Sequence, residues 1–308
     1  MGEEIEIFIL CRDRPYYSKL AINSVLNNSS KAKIIISDNS ESDLIEKMCL
    51  EFFPDLSYRR RSNLDPISHL KVIVKEAKSE YLVMFHDDDI MKHNYLEVML
   101  STFKSNNEII AIGSNAEIID ENGSVTGIFF KQKNNNKGIE ITNKDNLLLP
   151  YVTLGKEFDK FAPFPSYIYK TKYISSEMFE INDGSNHADL SFLMKVLNKG
   201  KIYWTNETLI QYRIHKQNGS NSIPIIQKIS LYNYLIRKEK INKKSNQMID
   251  FRFRIWFPWL KFRLIKQITI SRKERVVFIF LFTHLLKIIL TRPLVIYYQF
   301  NRRVLKIN

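Results

Sequence analysis

Residues 81–92 read YLVMFHDDDIMK. The apolar run Tyr81-Leu82-Val83-Met84-Phe85 has the length and composition of a strand buried on both faces. It stops at His86 and three consecutive carboxylates, Asp87, Asp88 and Asp89, before Ile90-Met91 turns apolar again. Like charges this close repel one another, and a buried strand end offers little solvent to screen them. The stretch therefore calls for a compensating positive partner. A hard divalent cation, Mn²⁺ or Mg²⁺, is the natural candidate, because it accepts one or two carboxylates and keeps positions open for phosphate oxygens. An exposed acidic turn with no ligand is the plainer alternative.

Working outward, the flanking sequence alternates strand and helix. Glu6–Leu10 (EIFIL) and Lys33–Ile36 (KIII) read as short buried strands. Ser18–Leu26, Asp43–Phe53 and Ser68–Ala77 carry apolar residues at helical spacing. Strand, helix, strand, helix, strand over the first 90 residues predicts a parallel α/β sheet. Ligands in such sheets collect at the carboxyl ends of the strands. The polar clusters CRDRP (11–15), SDNSESD (37–43) and HDDD (86–89) all fall there. Further on, Tyr95–Phe103 reads as a helix, and Ile109–Gly113 and Ser166–Lys170 as strands. Residues 115–160 read as strands and polar loops, and Asp189–Leu197 as an amphipathic helix stopped by Lys199-Gly200.

Three further groups suit a phosphate-bearing ligand. Asp38, after the second strand, is placed to accept from a nucleobase N–H or a ribose hydroxyl. Asp189 opens a helix, where a carboxylate also serves as an ordinary cap. In Tyr212-Arg213-Ile214-His215, Arg213 suits a diphosphate and His215 a metal or phosphate.

Taken together, these pieces resemble a family 2 glycosyltransferase of the GT-A fold, over roughly residues 5–222. EIFILCRDRPYYSKLAINSVL resembles the family's opening strand, loop and helix. KIIISDNSESD resembles the second strand with its nucleotide-binding Asp, and SEYLVMFHDDDIM the strand with the Asp-x-Asp metal motif. HADLSFLMKVLNKG resembles the helix that supplies the catalytic base, and LIQYRIHKQNGS the end of the catalytic domain. The resemblance implies a Rossmann-like, mixed but mainly parallel sheet flanked by helices. It also implies inverting sugar transfer from a nucleotide donor, foremost a UDP-sugar. It assigns Asp189 as general base. Cys11, Arg12, Asp38, Asp87 and Arg213 go to the nucleotide sugar, and Asp88, Asp89 and His215 to the metal. The chain departs from the family pattern at His86, which stands where the first Asp of the metal motif belongs. Two registers stay open: one makes Asp88 the metal ligand, the other Asp89. Ala188 replaces the usual Glu before the base, and Asp65 falls in NLDP where a Gly is common.

Charge is distributed unevenly. The net charge is +13, yet residues 1–236 carry 28 Lys/Arg against 30 Asp/Glu, and residues 237–308 carry 18 against 3. The C-terminal quarter is also aromatic, with FRFRIWFPWLKFRLIK (251–266) and VVFIFLFTHLLKIIL (276–290). The longer apolar run, at 15 residues, is short of the roughly 20 that span a bilayer. It suits helices lying in the membrane interface against anionic headgroups. Nucleic acid is disfavoured as a partner, because no binding motif accompanies the charge. The expected organisation is a catalytic domain over 1–225 and a basic, helical, membrane-interfacial extension over 226–308. Two cysteines and an N-terminus without a basic, apolar leader fit a reducing compartment. The expected location is therefore the cytoplasmic face of the cell membrane. The expected acceptor is a glycan, carried on a polyprenyl lipid. The competing readings are an inactive nucleotide-sugar-binding module of the same fold, or a nucleotidyltransferase. The second would want a glycine-rich phosphate loop after the first strand, which CRDRPYYSK lacks.

Overall fold

A computed structural model of the chain describes residues 4–61, 63–129, 138–152, 164–180, 188–215 and 234–235. The chain divides into two compact units, Met1–Ser245 and Asn246–Asn308. The second unit, and with it nearly all of the basic aromatic extension and the boundary expected near 225, lies outside the described residues. Among those residues no helix is long and apolar enough to cross a membrane.

The first half follows the alternation in the sequence. β1 (Ile5–Cys11), β2 (Lys33–Asp38), β3 (Ser57–Arg60) and β4 (Tyr81–His86) run parallel, in the order β3-β2-β1-β4. α1 (Pro15–Leu26), α2 (Leu44–Phe52) and α3 (Pro66–Glu76) connect them. β1 and β4 are buried along nearly their whole length. Their apolar runs are continuous rather than alternating because helices or loops cover both faces. Proline opens both α1 and α3, where its missing N–H costs nothing. Asp65 accepts from the N–H groups of Ile67 (3.0 Å) and Ser68 (3.1 Å). The acid where a glycine is common is thus the N-cap of α3.

The registers align the strand ends. Cys11 lies beside Asp38, Leu10 beside His86, and Asp38 beside Arg60. Each strand therefore releases its polar loop at the same edge. This brings CRDRP, DNSES and DDD together, although up to 78 positions separate them in sequence.

The second half is less regular. After β5 (Ile90–Met91) and α4 (Tyr95–Ser105) come β6 (Ile109–Ile119), β7 (Val125–Ile128), β8 (Gly138–Ile141) and α5 (Lys144–Val152). β9 (Tyr167–Lys170) inserts antiparallel between β4 and β6. α6 (Ala188–Val196) and β10 (Lys201–Arg213) follow, with β10 parallel to β6 and antiparallel to β5 and β8. The sequence reading foresaw neither α5 nor β10. β10 is broken by register shifts around Thr205–Ile210, and such a bulge destroys the two-residue alternation that marks a strand. Gly113 on β6 admits the ring of Tyr167, which a Cβ there would meet at 2.5 Å.

α6 is held by aromatic packing. Phe192 stacks on Phe179 with centroids 4.2 Å apart and meets Tyr169 at 5.4 Å and Phe164 at 5.9 Å. Phe164 in turn stacks on His86 at 6.0 Å. This chain of rings ties the helix that carries Asp189 to the carboxyl end of β4.

Candidate active site

The loop after β1 is clasped to the loop after β2. Asp13 adopts a left-handed backbone, with φ of 51°, which an Asp tolerates better than most residues. Its carboxylate accepts from the N–H groups of Glu41 (3.1 Å) and Ser42 (3.2 Å), and its own N–H donates to Ser40 Oγ (2.7 Å). Asp38 lies at the end of β2, as expected, but is fully enclosed. Its Oδ1 accepts from Ser40 N–H (2.9 Å), and its Oδ2 from Tyr58 O–H (2.6 Å) and Arg60 (2.9 Å). A nucleotide group reaching Asp38 has to compete with those donors. Cys11 is buried, and burial pushes its thiol well above the ordinary range. It joins the site through its carbonyl, which accepts from Asn39 N–H (2.9 Å). The Arg12 side chain is exposed, 3.9 Å from Glu41, and its N–H donates to Asp87 Oδ2 (3.0 Å).

The acidic triplet divides its work. Asp87 points back under the first loop and is fully buried. Besides Arg12 N–H it accepts from Ser18 O–H (3.0 Å) and pairs closely with Arg14. Burial pushes its pKa up, and Arg14 opposes that. Asp88 Oδ2 pairs with Arg14 Nη1 at 2.5 Å and with His215 Nε2 at 3.0 Å. Burial acts upward on Asp88 too, but Arg14, His86 and His215 outweigh it and hold the pKa low. Asp89 is fully buried. Its Oδ1 accepts from Arg213 N–H (2.9 Å), while its Oδ2 has no hydrogen-bond partner. Burial and the adjacent Asp88 push its pKa well up.

Arg14, which the sequence reading left without a role, is therefore the protein's own partial answer to the triplet's charge. The signal was present: a cation directly before the proline that starts α1, facing three acids one strand away. Arg213 reaches the triplet differently. Its Nε donates to the Asp88 carbonyl (2.9 Å), and its Nη1 to the carbonyls of Asp120 (2.9 Å) and Glu121 (3.3 Å), with the guanidinium 4.8 Å from the Tyr17 ring centroid. As placed, it braces the acidic loop against the β6–β7 turn.

The arrangement fits a divalent cation. His86, Asp88 and Asp89 each offer a donor atom, all within 4.8 Å of one another. The two carboxylates suit Mn²⁺ or Mg²⁺ with positions left for phosphate, and the imidazole is the softer donor beside them. Asp89 Oδ2 is a buried acceptor with no donor, and such an atom is stabilised by a cation or a proton. The group that converges contains His86, which the sequence reading had treated as a departure. His215 touches it through Asp88.

Asp189 stands in the first turn of α6, its Oδ1 accepting from Leu190 N–H (2.8 Å). The ring chain from Phe192 through Phe164 to His86 ties its helix to the strand end that carries the triplet.

Comparison with known proteins agrees with this architecture. The structure of residues 1–349 of S. aureus TarS in complex with UDP-GlcNAc superposes with a TM-score of 0.61 at 12% identity, covering 83% of this chain and 73% of that one. The same protein in complex with UDP gives 0.60 at 12% identity, covering 92% and 80%. The fold is thus that of a GT-A glycosyltransferase. Residues 7–154 match Glycosyl transferase family 2. An uncharacterized glycosyltransferase of Methanocaldococcus jannaschii is 24% identical over 237 residues, 75% of this chain and 76% of that protein. Another, of Rickettsia bellii, is 25% identical over 224 residues, 71% of this chain but only 31% of its relative. Residues 7–154 are thus similar to glycosyl transferase family 2, within a fold similar to that of TarS.

Proposed function

We propose that this glycosyltransferase moves a sugar, with inversion, from a nucleoside-diphosphate donor to a hydroxyl of a glycan acceptor. The observation that carries the reading is the pairing of two features at one sheet end. One is the acidic triplet with Asp89 Oδ2, which has no hydrogen-bond partner; the other is Asp189 on α6, the helix that Phe192 and Phe164 tie to His86. Asp88 and Asp89, with His86 beside them and His215 on Asp88, would hold the cation. A bound Mn²⁺ or Mg²⁺ supplies Lewis-acid stabilisation of the leaving diphosphate. Asp189 takes the proton of the acceptor hydroxyl. That oxygen bonds to the anomeric carbon from the face opposite the donor bond, which breaks with its electron pair going to the diphosphate. The loops after β1 and β2 surround the nucleotide. UDP is the first choice of nucleotide, since the structural neighbour binds UDP and UDP-GlcNAc.

A thermal-shift screen of nucleotide sugars with and without Mn²⁺ tests this. One nucleotide class is expected to raise the melting temperature, and more strongly with the cation. No shift with any of them counts against the reading.

The acceptor we propose is a polyprenyl-linked glycan of the kind used in O-antigen-like or capsule-like surface polysaccharide assembly, reached by a peripheral enzyme on the inner face of the membrane. What supports this is the extension over 237–308, with 18 Lys/Arg against 3 Asp/Glu and its interfacial aromatics. The full chain is expected to float with phosphatidylglycerol vesicles at low salt and to stay behind with phosphatidylcholine alone. Equal recovery without vesicles would remove the membrane part.

A further inference from the structure

Arg14 is paired with two acids and still incompletely used. Its Nη2 pairs with Asp87 and its Nη1 with Asp88 Oδ2 at 2.5 Å, while its Nε is buried with no hydrogen-bond partner. Close by, Asp89 Oδ2 is a buried acceptor with no donor. One site therefore holds a donor that lacks an acceptor and an acceptor that lacks a cation. A phosphate oxygen satisfies the first, and a divalent metal the second. The backbone of Arg14 is fixed by the adjoining Pro15 and by its carbonyl, which accepts from the N–H of Ser18 at 2.9 Å. Movement is left to the side chain, which is 22% exposed and so reachable from solvent.

We infer that Arg14 is the resident counter-ion of the acidic triplet and makes cation binding conditional on the diphosphate. The inference rests on the nucleotide-sugar reading above. A cation set on Asp88 and Asp89 lies next to a guanidinium already bonded to Asp88, and like charges repel strongly in a part-buried site. A diphosphate cancels that repulsion and offers the guanidinium new acceptors in the geometry it recognises best. Cation and diphosphate then bind with positive coupling, each raising the other's affinity by the same factor. Without the diphosphate, Arg14 stays paired with Asp87 and Asp88.

The test is Mn²⁺ binding to the full chain, followed by electron paramagnetic resonance with and without saturating UDP. In the wild type, UDP is expected to raise Mn²⁺ affinity at least about tenfold, which for this coupling is about 1.4 kcal/mol. In Arg14→Gln the affinity for Mn²⁺ alone is expected to rise at least about fivefold and the UDP effect to shrink. Arg14→Lys keeps the charge and is expected to stay near the wild-type value. Calorimetric UDP binding in each protein shows that the site is folded. Equal Mn²⁺ affinity with and without UDP in the wild type overturns the inference without any variant. So does an Arg14→Gln chain that binds UDP but takes Mn²⁺ alone no more tightly than wild type. A wild-type chain that binds neither UDP nor Mn²⁺ overturns the nucleotide-sugar reading, and this inference with it.

Discussion

Asp189→Asn is expected to lower turnover by about 10²–10⁴-fold, the usual contribution of a positioned base. UDP binding and the melting temperature should stay close to wild type. The side chain lies in the first turn of α6, and the helix is anchored by Phe192 against Phe179, Tyr169 and Phe164 rather than by the carboxylate. Asparagine keeps the Oδ1 acceptor used by Leu190 N–H, so the local turn survives. What it loses is the ability to take a proton. Steady-state turnover beside calorimetric UDP binding separates the two effects. Turnover near wild type would remove Asp189 as the base.

Asp87→Ala is expected to act the opposite way, through the fold. It removes a fully buried carboxylate that accepts from Arg12 N–H and Ser18 O–H and pairs with Arg14. Arg14 keeps its pair with Asp88, so the cost comes from the Arg12 N–H and Ser18 O–H left without their acceptor, about 1–3 kcal/mol. The two loops that surround the proposed nucleotide site would loosen with it. Urea unfolding is expected to show a lower midpoint at an unchanged slope. A midpoint equal to wild type would mean that Asp87 does not hold the first loop.

These two residues show how far the sequence could be read. The parallel half of the sheet was legible because β1 and β4 are buried on both faces and so write uninterrupted apolar runs. Asp189 was legible because a helix start displays its first-turn acid. The short strand β3, SYRR, was not foreseen, since Ser57, Tyr58, Arg59 and Arg60 form no apolar run. In the fold Tyr58 and Arg60 converge on Asp38. β10 was hidden by its bulge. The choice between Asp88 and Asp89 was undecidable from spacing, because direction after a strand end depends on the turn. The turn sends Asp87 back beneath the first loop and groups Asp88 and Asp89 with His86. The triplet's charge was expected to need a cation from solution. The chain supplies part of the compensation itself, with Arg14 brought across from the next strand end. A one-dimensional reading sees like charges crowded together but not the neighbour that faces them.

The central claim, inverting transfer from a nucleotide sugar, is tested most directly by proton NMR of the slow hydrolysis of an α-linked UDP-sugar donor. The donor is the one selected by thermal shift, with Mn²⁺ present and water as the acceptor. The first sugar released is predicted to be the β anomer, before mutarotation, and to be absent with Asp189→Asn. Initial release of the α anomer would contradict the account.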